Sequence, residues 1–293
     1  MKGRIILLII TVSLLGGSES FGQYYIGLED VIADSSILSK ERYLLPPNDS
    51  MKLMEITSID RDNKVVWTQY FQGIYGMAYR KVVYNDDWKP VKCQRLRSDS
   101  SIAYQYRFKY NDKNQLVNQS SIGRSSHDNY EHLHLNSNTN FTYNKKGLRA
   151  GFVGVRYIDG DSTRYINVKS ITKYDRNRRL KKQKSYETKE GAKKYKLVHV
   201  YKVKYSNSGD FLKRKSIQKS IQLKSKSIDE AFYDKDGFRV KSVEYIDKKA
   251  TRFAAHKYSD GLIVESKYID HNPETNLNFS SIMKYRRLGD KSR

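Results

Sequence analysis

A tyrosine, a tight polar turn and then a basic-apolar strand recur along this chain, and that recurrence constrains the fold more than any other feature. The units read Tyr84-Asn-Asp-Asp-Trp, Tyr110-Asn-Asp-Lys-Asn, Tyr143-Asn-Lys-Lys-Gly, Tyr174-Asp-Arg-Asn-Arg, Tyr205-Ser-Asn-Ser-Gly and Tyr233-Asp-Lys-Asp-Gly. A shortened copy stands at Tyr258-Ser-Asp-Gly, a truncated one begins at Tyr285, and an earlier unit starts at Ile59-Asp-Arg-Asp-Asn. From Ile59 onward, successive anchors are 25, 26, 33, 31, 31, 28, 25 and 27 residues apart. So narrow a spread marks an internal repeat.

Each unit has a local physical reading. The stretch before the tyrosine alternates: in "QYRFKY" Tyr106, Phe108 and Tyr110 share one side of a strand, and Gln105, Arg107 and Lys109 the other. In "HVYKVKY" His199, Tyr201, Val203 and Tyr205 oppose Val200, Lys202 and Lys204. An Asn, Asp or Ser then opens a turn by hydrogen-bonding its own backbone. The fourth residue after the tyrosine is Gly147, Gly209, Gly237, Asn114 or Asn63, residue types that tolerate positive φ. Trp88 and Arg178 hold that place in two units, so those turns differ or carry strain. A second alternating strand follows, as in "FRVKSVEYI". The unit is a hairpin, and a lone hairpin is marginal in water. The sequence therefore predicts an all-β chain: an antiparallel meander of about eight tandem hairpins, as an open curved sheet or β-roll, with the tyrosines laddered along one face.

These units resemble the tyrosine-aspartate repeats of bacterial RHS proteins, which run approximately Tyr-Asp-x-x-Gly-Arg-Leu. Tyr174-Asp175-Arg176-Asn177-Arg178-Arg179-Leu180 keeps Arg-Leu but not the glycine, Tyr233-Asp234-Lys235-Asp236-Gly237 keeps the glycine, and Tyr143 to Leu148 keeps the tyrosine, turn and apolar residue. The resemblance spans residues 59 to about 290 and implies strand–turn–strand geometry. In large members of the family such repeats wind into a shell around a toxic domain. This chain is too short for such a closed shell, and no further domain is expected after Tyr285.

The N-terminus reads as an address. Lys2 and Arg4 precede an apolar run from Ile5 to Leu15, and small and polar residues lead to Gln23. That is the order of a secretory signal peptide over residues 1–23, and the run is about half the length a spanning helix needs. No other stretch is apolar enough to cross as a helix, so the mature chain is expected to be periplasmic, on the outer surface, or extracellular. Residues 24–50, ending near Pro46-Pro47, are expected to form an N-terminal cap, and residues 51–293 the repeat domain. Cys93 is alone, which excludes an internal disulfide and fits a small buried hydrophobe on a strand.

Charge and aromatics supply the functional reading. Without Lys2, Arg4 and Glu19 the formal net charge goes from +23 to +22, which favours anionic partners. The chain carries 24 tyrosines, interleaved with lysine in "QYRFKY", "VYKVKY" and "KKQKSYETKEGAKKYK". Tyrosines can stack on sugars or bases while cations meet phosphate, carboxylate or sulfate. The candidate binding face is Tyr106, Arg107, Lys109, Tyr110, Tyr201, Lys202, Lys204 and Tyr205. Its expected partners are anionic polysaccharide, lipopolysaccharide or another envelope protein; export argues against nucleic acid as the primary partner. No phosphate loop, nucleophile elbow, paired-cysteine motif or HExxH is present, so the chain reads as a non-enzyme without a cofactor. The alternative is a scaffold or carrier partner of an envelope protein complex, and a polymer-acting hydrolase is the weaker one. His127, His132 and His134 with Glu131 form the one constellation that invites a metal, although a loop inserted between repeats accounts for the same residues.

Overall fold

A computed structural model describes residues 32, 34–45, 51–74, 77–124, 133–158, 161–189, 192, 194–208, 211–221, 223–246, 249–271 and 278–287. The leader, His127 and His132 lie outside the described residues. Eighteen strands run in chain order: β1 (Ile37–Leu45), β2 (Lys52–Asp60), β3 (Val65–Ile74), β4 (Met77–Tyr84), β5 (Pro90–Arg97) and β6 (Ile102–Tyr110). Next come β7 (Leu116–Arg124), β8 (Leu133–Tyr143), β9 (Arg149–Ile158), β10 (Asp161–Tyr174), β11 (Leu180–Lys189) and β12 (Lys196–Ser208). The last six are β13 (Phe211–Ser220), β14 (Ser225–Tyr233), β15 (Arg239–Ile246), β16 (Lys249–Ser259), β17 (Leu262–Asp270) and β18 (Asn278–Arg287).

Every strand pairs antiparallel with its neighbours in sequence, as a series of hairpins requires. The first and last strands also pair, with Arg42 opposite Met283 and Tyr43 opposite Ile282. The meander therefore closes into a barrel. This corrects two expectations. The sheet is neither open nor a β-roll, and the likeness to tyrosine-aspartate repeats does not hold, because closure of the first strand on the last leaves no edge from which such an array could continue. Closure also explains residues 37–45, read from sequence as part of a cap: they form the strand that seals the barrel.

The turns follow the expected chemistry, with exceptions that have physical causes. In five of them the residue after the tyrosine closes the loop twice through its backbone, as in Asn144 N–H to Leu148 O at 2.8 Å and Gly147 N–H to Asn144 O at 2.9 Å. Its side-chain Oδ1 accepts two more amides: Lys146 and Leu148 on Asn144, Asn177 and Arg179 on Asp175, Asp236 and Phe238 on Asp234. The fourth residue is left-handed at Trp88 (φ 54), Asn114 (φ 58), Gly147 (φ 75), Arg178 (φ 61) and Gly237 (φ 86). Trp88 and Arg178 thus adopt the same turn and bear its strain; Trp88 is held by the Tyr84 ring at 5.5 Å and the Arg61 guanidinium at 5.7 Å. In the first unit the left-handed residue is Lys64, not Asn63, because Asp60 accepts the Asn63 amide and shifts the turn by one. The Tyr205 unit departs most: Ser206, Asn207 and Ser208 continue the strand, opposite Lys213, Leu212 and Phe211. At Asp260-Gly261 both φ angles are positive (52 and 80), the two-residue hairpin turn whose twist matches the strands.

The register slips by one residue at Tyr84, Tyr110, Tyr143, Tyr174, Tyr233 and Tyr258, a bulge beside each turn. The tyrosine hydroxyls tie these bulges to their neighbours. Tyr110 donates its hydroxyl to Pro90 O (3.0 Å), Tyr143 to Leu116 O (2.8 Å), Tyr174 to Arg149 O (2.9 Å), Tyr258 to Arg239 O (3.0 Å) and Tyr285 to Ile263 O (2.7 Å). Each reaches back to the return strand of the preceding hairpin. The tyrosine ladder is therefore a chain of hydrogen bonds between units rather than the stack of rings expected from sequence.

Burial pushes the Tyr110 phenol up to about 12, with the neighbouring Tyr143 contributing, and raises Tyr174 for the same first cause. These groups favour the folded state while neutral. Their contribution is full below the ordinary tyrosine value near 10 and is lost as pH climbs towards the folded value. Urea unfolding between pH 9 and ~12 should show stability falling across that upper range. Tyr174→Phe should lose about 1–3 kcal/mol at neutral pH by leaving the Arg149 carbonyl unpaired, and should flatten the alkaline fall.

Candidate functional site: a lysine row on the outer wall

A closed sheet sorts every strand into an inward and an outward set with period two. Side chains on the concave face converge and cover one another. Most of the least exposed positions (Thr57, Val66, Thr68, Val82, Cys93, Ser121, Thr139, Phe152, Ser170, Gln183, Val203, Ser216, Ala231, Ser242 and Ser281) share one face through the cross-strand register, which makes it the inside, while Leu96, Ala103 and Gln105 are buried on the other. Trp67 (39 % exposed), Val153 (49 %) and Ile171 (48 %) alternate with them and face out. Cys93, the single cysteine, is buried among Val66, Val82 and Tyr84, the small buried hydrophobe expected.

Inside, charge is matched. Arg156 meets Glu187 at 3.2 Å, Arg214 and Arg239 share Asp229 at 3.3 and 3.6 Å, and Arg252 bridges Glu244 and Asp270 at 3.2 Å each. Buried charge survives only when paired in this way. His256 is held down to about 4 by burial and by Arg239, so it is neutral inside the wall.

Outside, lysine dominates, and part of it is accommodated. Lys213 and Lys215 clamp Glu230 at 2.8 Å each, and Lys257 meets Glu265 at 2.6 Å. Lys169 lies 4.1 Å from the Tyr195 ring centroid, Lys241 5.4 Å from that of Phe253, Lys81 4.8 Å from that of Trp67 and Lys284 4.6 Å from that of Tyr43. One group is different. Lys173 is directly opposite Lys182, and Lys182 directly opposite Lys202, across three consecutive strands. Lys204 stands opposite Lys215, and Lys219 opposite Lys226. Among the described residues, Lys173, Lys182, Lys184, Lys202 and Lys204 meet no carboxylate. The ammonium of Lys182 is held below the usual lysine range by partial desolvation and by the charges of Lys184, Lys202 and Lys173.

The sequence-derived face is split by this geometry. Tyr106 packs against the inner core; Tyr110 donates to Pro90; Tyr201 donates to Ser216 Oγ at 2.9 Å; and Tyr205 lies inward beneath Arg179 at 4.3 Å. Arg107, Lys109, Lys202 and Lys204 project outward, with Arg107 Nε 2.9 Å from the Gln105 amide oxygen once that amide is turned to receive it. The tyrosines and the cations thus belong to opposite walls. The β6 and β12 sets also stand six strands apart in an eighteen-strand ring. Lys202 and Lys204 join the outer row, whereas Lys173, Lys182 and Lys184 were not singled out as site residues. His134 lies on β8, and among the described residues no group of three or more His, Cys, Asp or Glu side chains could hold a metal.

No protein-family model matches this chain, and no curated protein does. Among solved structures it is similar to a porin-like protein from Bacteroides uniformis, at 8 % identity and a TM-score of 0.43, covering 85 % of this chain and 98 % of that one. At that level of similarity the geometry of this chain carries the reading by itself.

Like charges directly opposite on a sheet are destabilising, by roughly 0.2–1 kcal/mol per pair. Lys182→Gln, at the centre of the row, should therefore raise the melting temperature in low salt, and the gain should shrink as salt screens the row. An unchanged or lower melting temperature would show that the row costs the fold nothing.

Proposed function

We propose that this protein is an exported, non-catalytic binding protein of the bacterial envelope whose barrel offers a basic outer wall to anionic polymers. The observation that carries the reading is the Lys173–Lys182–Lys202 alignment, three lysines directly opposed across consecutive strands that meet no carboxylate among the described residues, whereas Lys213, Lys215 and Lys257 meet acids and Lys81, Lys169, Lys241 and Lys284 lie over rings. A destabilising arrangement that could be relieved by single substitutions is what selection for binding leaves behind. The signal-peptide pattern and the excess of 55 basic over 32 acidic residues support the same reading.

A second reading has one feature in its favour. The eighteen strands are even in number, and the first strand begins at the same end at which the last one finishes, the end that also carries the five-residue turns. Those are habits of outer-membrane barrels. The outer wall weighs against it. A lipid-facing band must be apolar, and each lysine at the membrane midplane costs roughly 2–4 kcal/mol. Lys169, Lys184, Lys202, Lys204 and Lys215 occupy that wall within four adjacent strands, while Lys173 and Lys182 lie beside the turn after Tyr174, where the cost is only about 0–1 kcal/mol.

Two measurements separate the readings. Alkaline carbonate or urea washing of membranes should release the protein, and the released barrel should bind an immobilised polyanion with an affinity that falls steeply with salt by counterion release. Retention in washed membranes with protease-protected strands would support the pore and sink the proposal.

A further inference from the structure

The outer row has a direction, and the direction selects a ligand. Lys173, Lys182 and Lys202 run across the strands, so their anchors repeat at the strand spacing of roughly 4.8 Å around the barrel. A second lane runs beside the first, two residues along each strand: Lys184, Val200, Lys219 and Lys226 are consecutive partners on β11 to β14. Lys204 and Lys215 continue the cationic surface on the other side of the first lane.

The flanks of these lanes are informative as well. Ile171, Val200 and Ile217 are the outward neighbours between the lysines, and none is aromatic. The tyrosines of the same strands, Tyr201 and Tyr205, point inward. The outward rings beside the lysines are already covered by cations, Tyr186 and Tyr195 by Lys169 and Phe232 by Lys213 and Lys241, while Tyr245 lies one strand beyond the lanes. A single-stranded nucleic acid needs open rings on which bases stack, and these lanes offer none. They offer evenly spaced point charges over a short aliphatic floor.

We infer that the Lys173–Lys182–Lys202 lane, with Lys184, Lys219 and Lys226 beside it, is a track for an acidic polysaccharide that carries one carboxylate or sulfate per sugar unit, lying around the barrel across β10 to β14. This rests on the proposed anion-binding reading. A uniformly charged glycan brings one anion per repeat to successive strands, and its sugar faces cover the aliphatic floor. Binding also relieves the mutual repulsion of the row. Lys182, whose ammonium is depressed by its neighbours, regains its proton affinity once an anion sits among them. The affinity should therefore weaken as pH rises into the lysine range.

The test uses the chain from Tyr24 onward, which contains every described residue, and calorimetry with polygalacturonate, its fully methyl-esterified form, polyphosphate and single-stranded DNA at matched charge concentration and two salt levels. Polygalacturonate should bind most tightly and the ester not at all. Lys173→Gln/Lys182→Gln/Lys202→Gln should weaken the polygalacturonate complex at least tenfold while raising the melting temperature in low salt, so that unfolding cannot explain the loss. Lys81→Gln/Lys284→Gln, which changes two outward lysines that lie over aromatic rings, should bind as the parent does. DNA or polyphosphate binding as tightly as polygalacturonate, or equal weakening by both variants, would overturn the track while leaving general anion binding intact. If no polyanion binds, the track and the proposed function fall together.

Discussion

The pairing of the first strand with the last is the constraint on which the rest of this structure depends. An open meander of eighteen strands would present two exposed edges and two equivalent faces. Pairing Ser39 to Leu45 with Ser280 to Arg286 removes both edges and makes one face concave. Only then does the period-two alternation of each strand become a distinction between inside and outside. The same pairing binds sequence-distant elements, so it is the last contact a chain of local hairpins can make, and the costliest in loop entropy.

Once inside and outside exist, the two kinds of cation in this chain separate. Arginines such as Arg156, Arg214, Arg239 and Arg252 face inward, where acids fix them. A planar guanidinium that meets carboxylates with several donors suits a crowded wall. Most strand lysines face outward, where a flexible stem and a strongly hydrated head can reach solvent or a ligand; Lys40 on the inner wall and Arg107 on the outer are exceptions. The barrel thus meets several inner arginines with acids and gathers a run of lysines, unpaired among the described residues, on one arc, β10 to β14. The tyrosines, abundant enough to suggest a recognition surface, serve the scaffold: their hydroxyls donate to return-strand carbonyls beside the turn-end bulges.

Much of this was legible in the residues. Alternation in "QYRFKY" and "HVYKVKY" gave the strands and their two sides, and the Asn or Asp after each tyrosine gave the turns. Closure was not legible, because it depends on Ile37–Leu45, a segment that lies outside the repeat and has no partner within its own neighbourhood. The site was half visible. Lys202 and Lys204 were picked out for lying beside tyrosines, yet period two sends those tyrosines to the other wall. What makes the row is register: Lys173 meets Lys182 nine positions on, across a bulge and a five-residue turn, and Lys182 meets Lys202 twenty positions further, spacings that no local pattern counts. Tyr205-Ser-Asn-Ser-Gly misled for a related reason: its turn residues were paired into longer strands by Phe211, Leu212 and Lys213.

The measurement that bears most directly on this account is a cross-link at the seam. Tyr43 and Ile282 are direct partners on the outer wall of β1 and β18, and no disulfide competes, since Cys93 is alone and buried. Directly opposed antiparallel residues lie roughly 4.5–5.5 Å apart at Cα, within reach of a disulfide. With Tyr43→Cys/Ile282→Cys, mild oxidation of dilute protein should give a monomeric, intramolecularly bridged chain in high yield. Chains that stay reduced, or that join only to other chains, would mean the sheet is open. The separation into a neutralised interior and a basic outer wall would then have no basis.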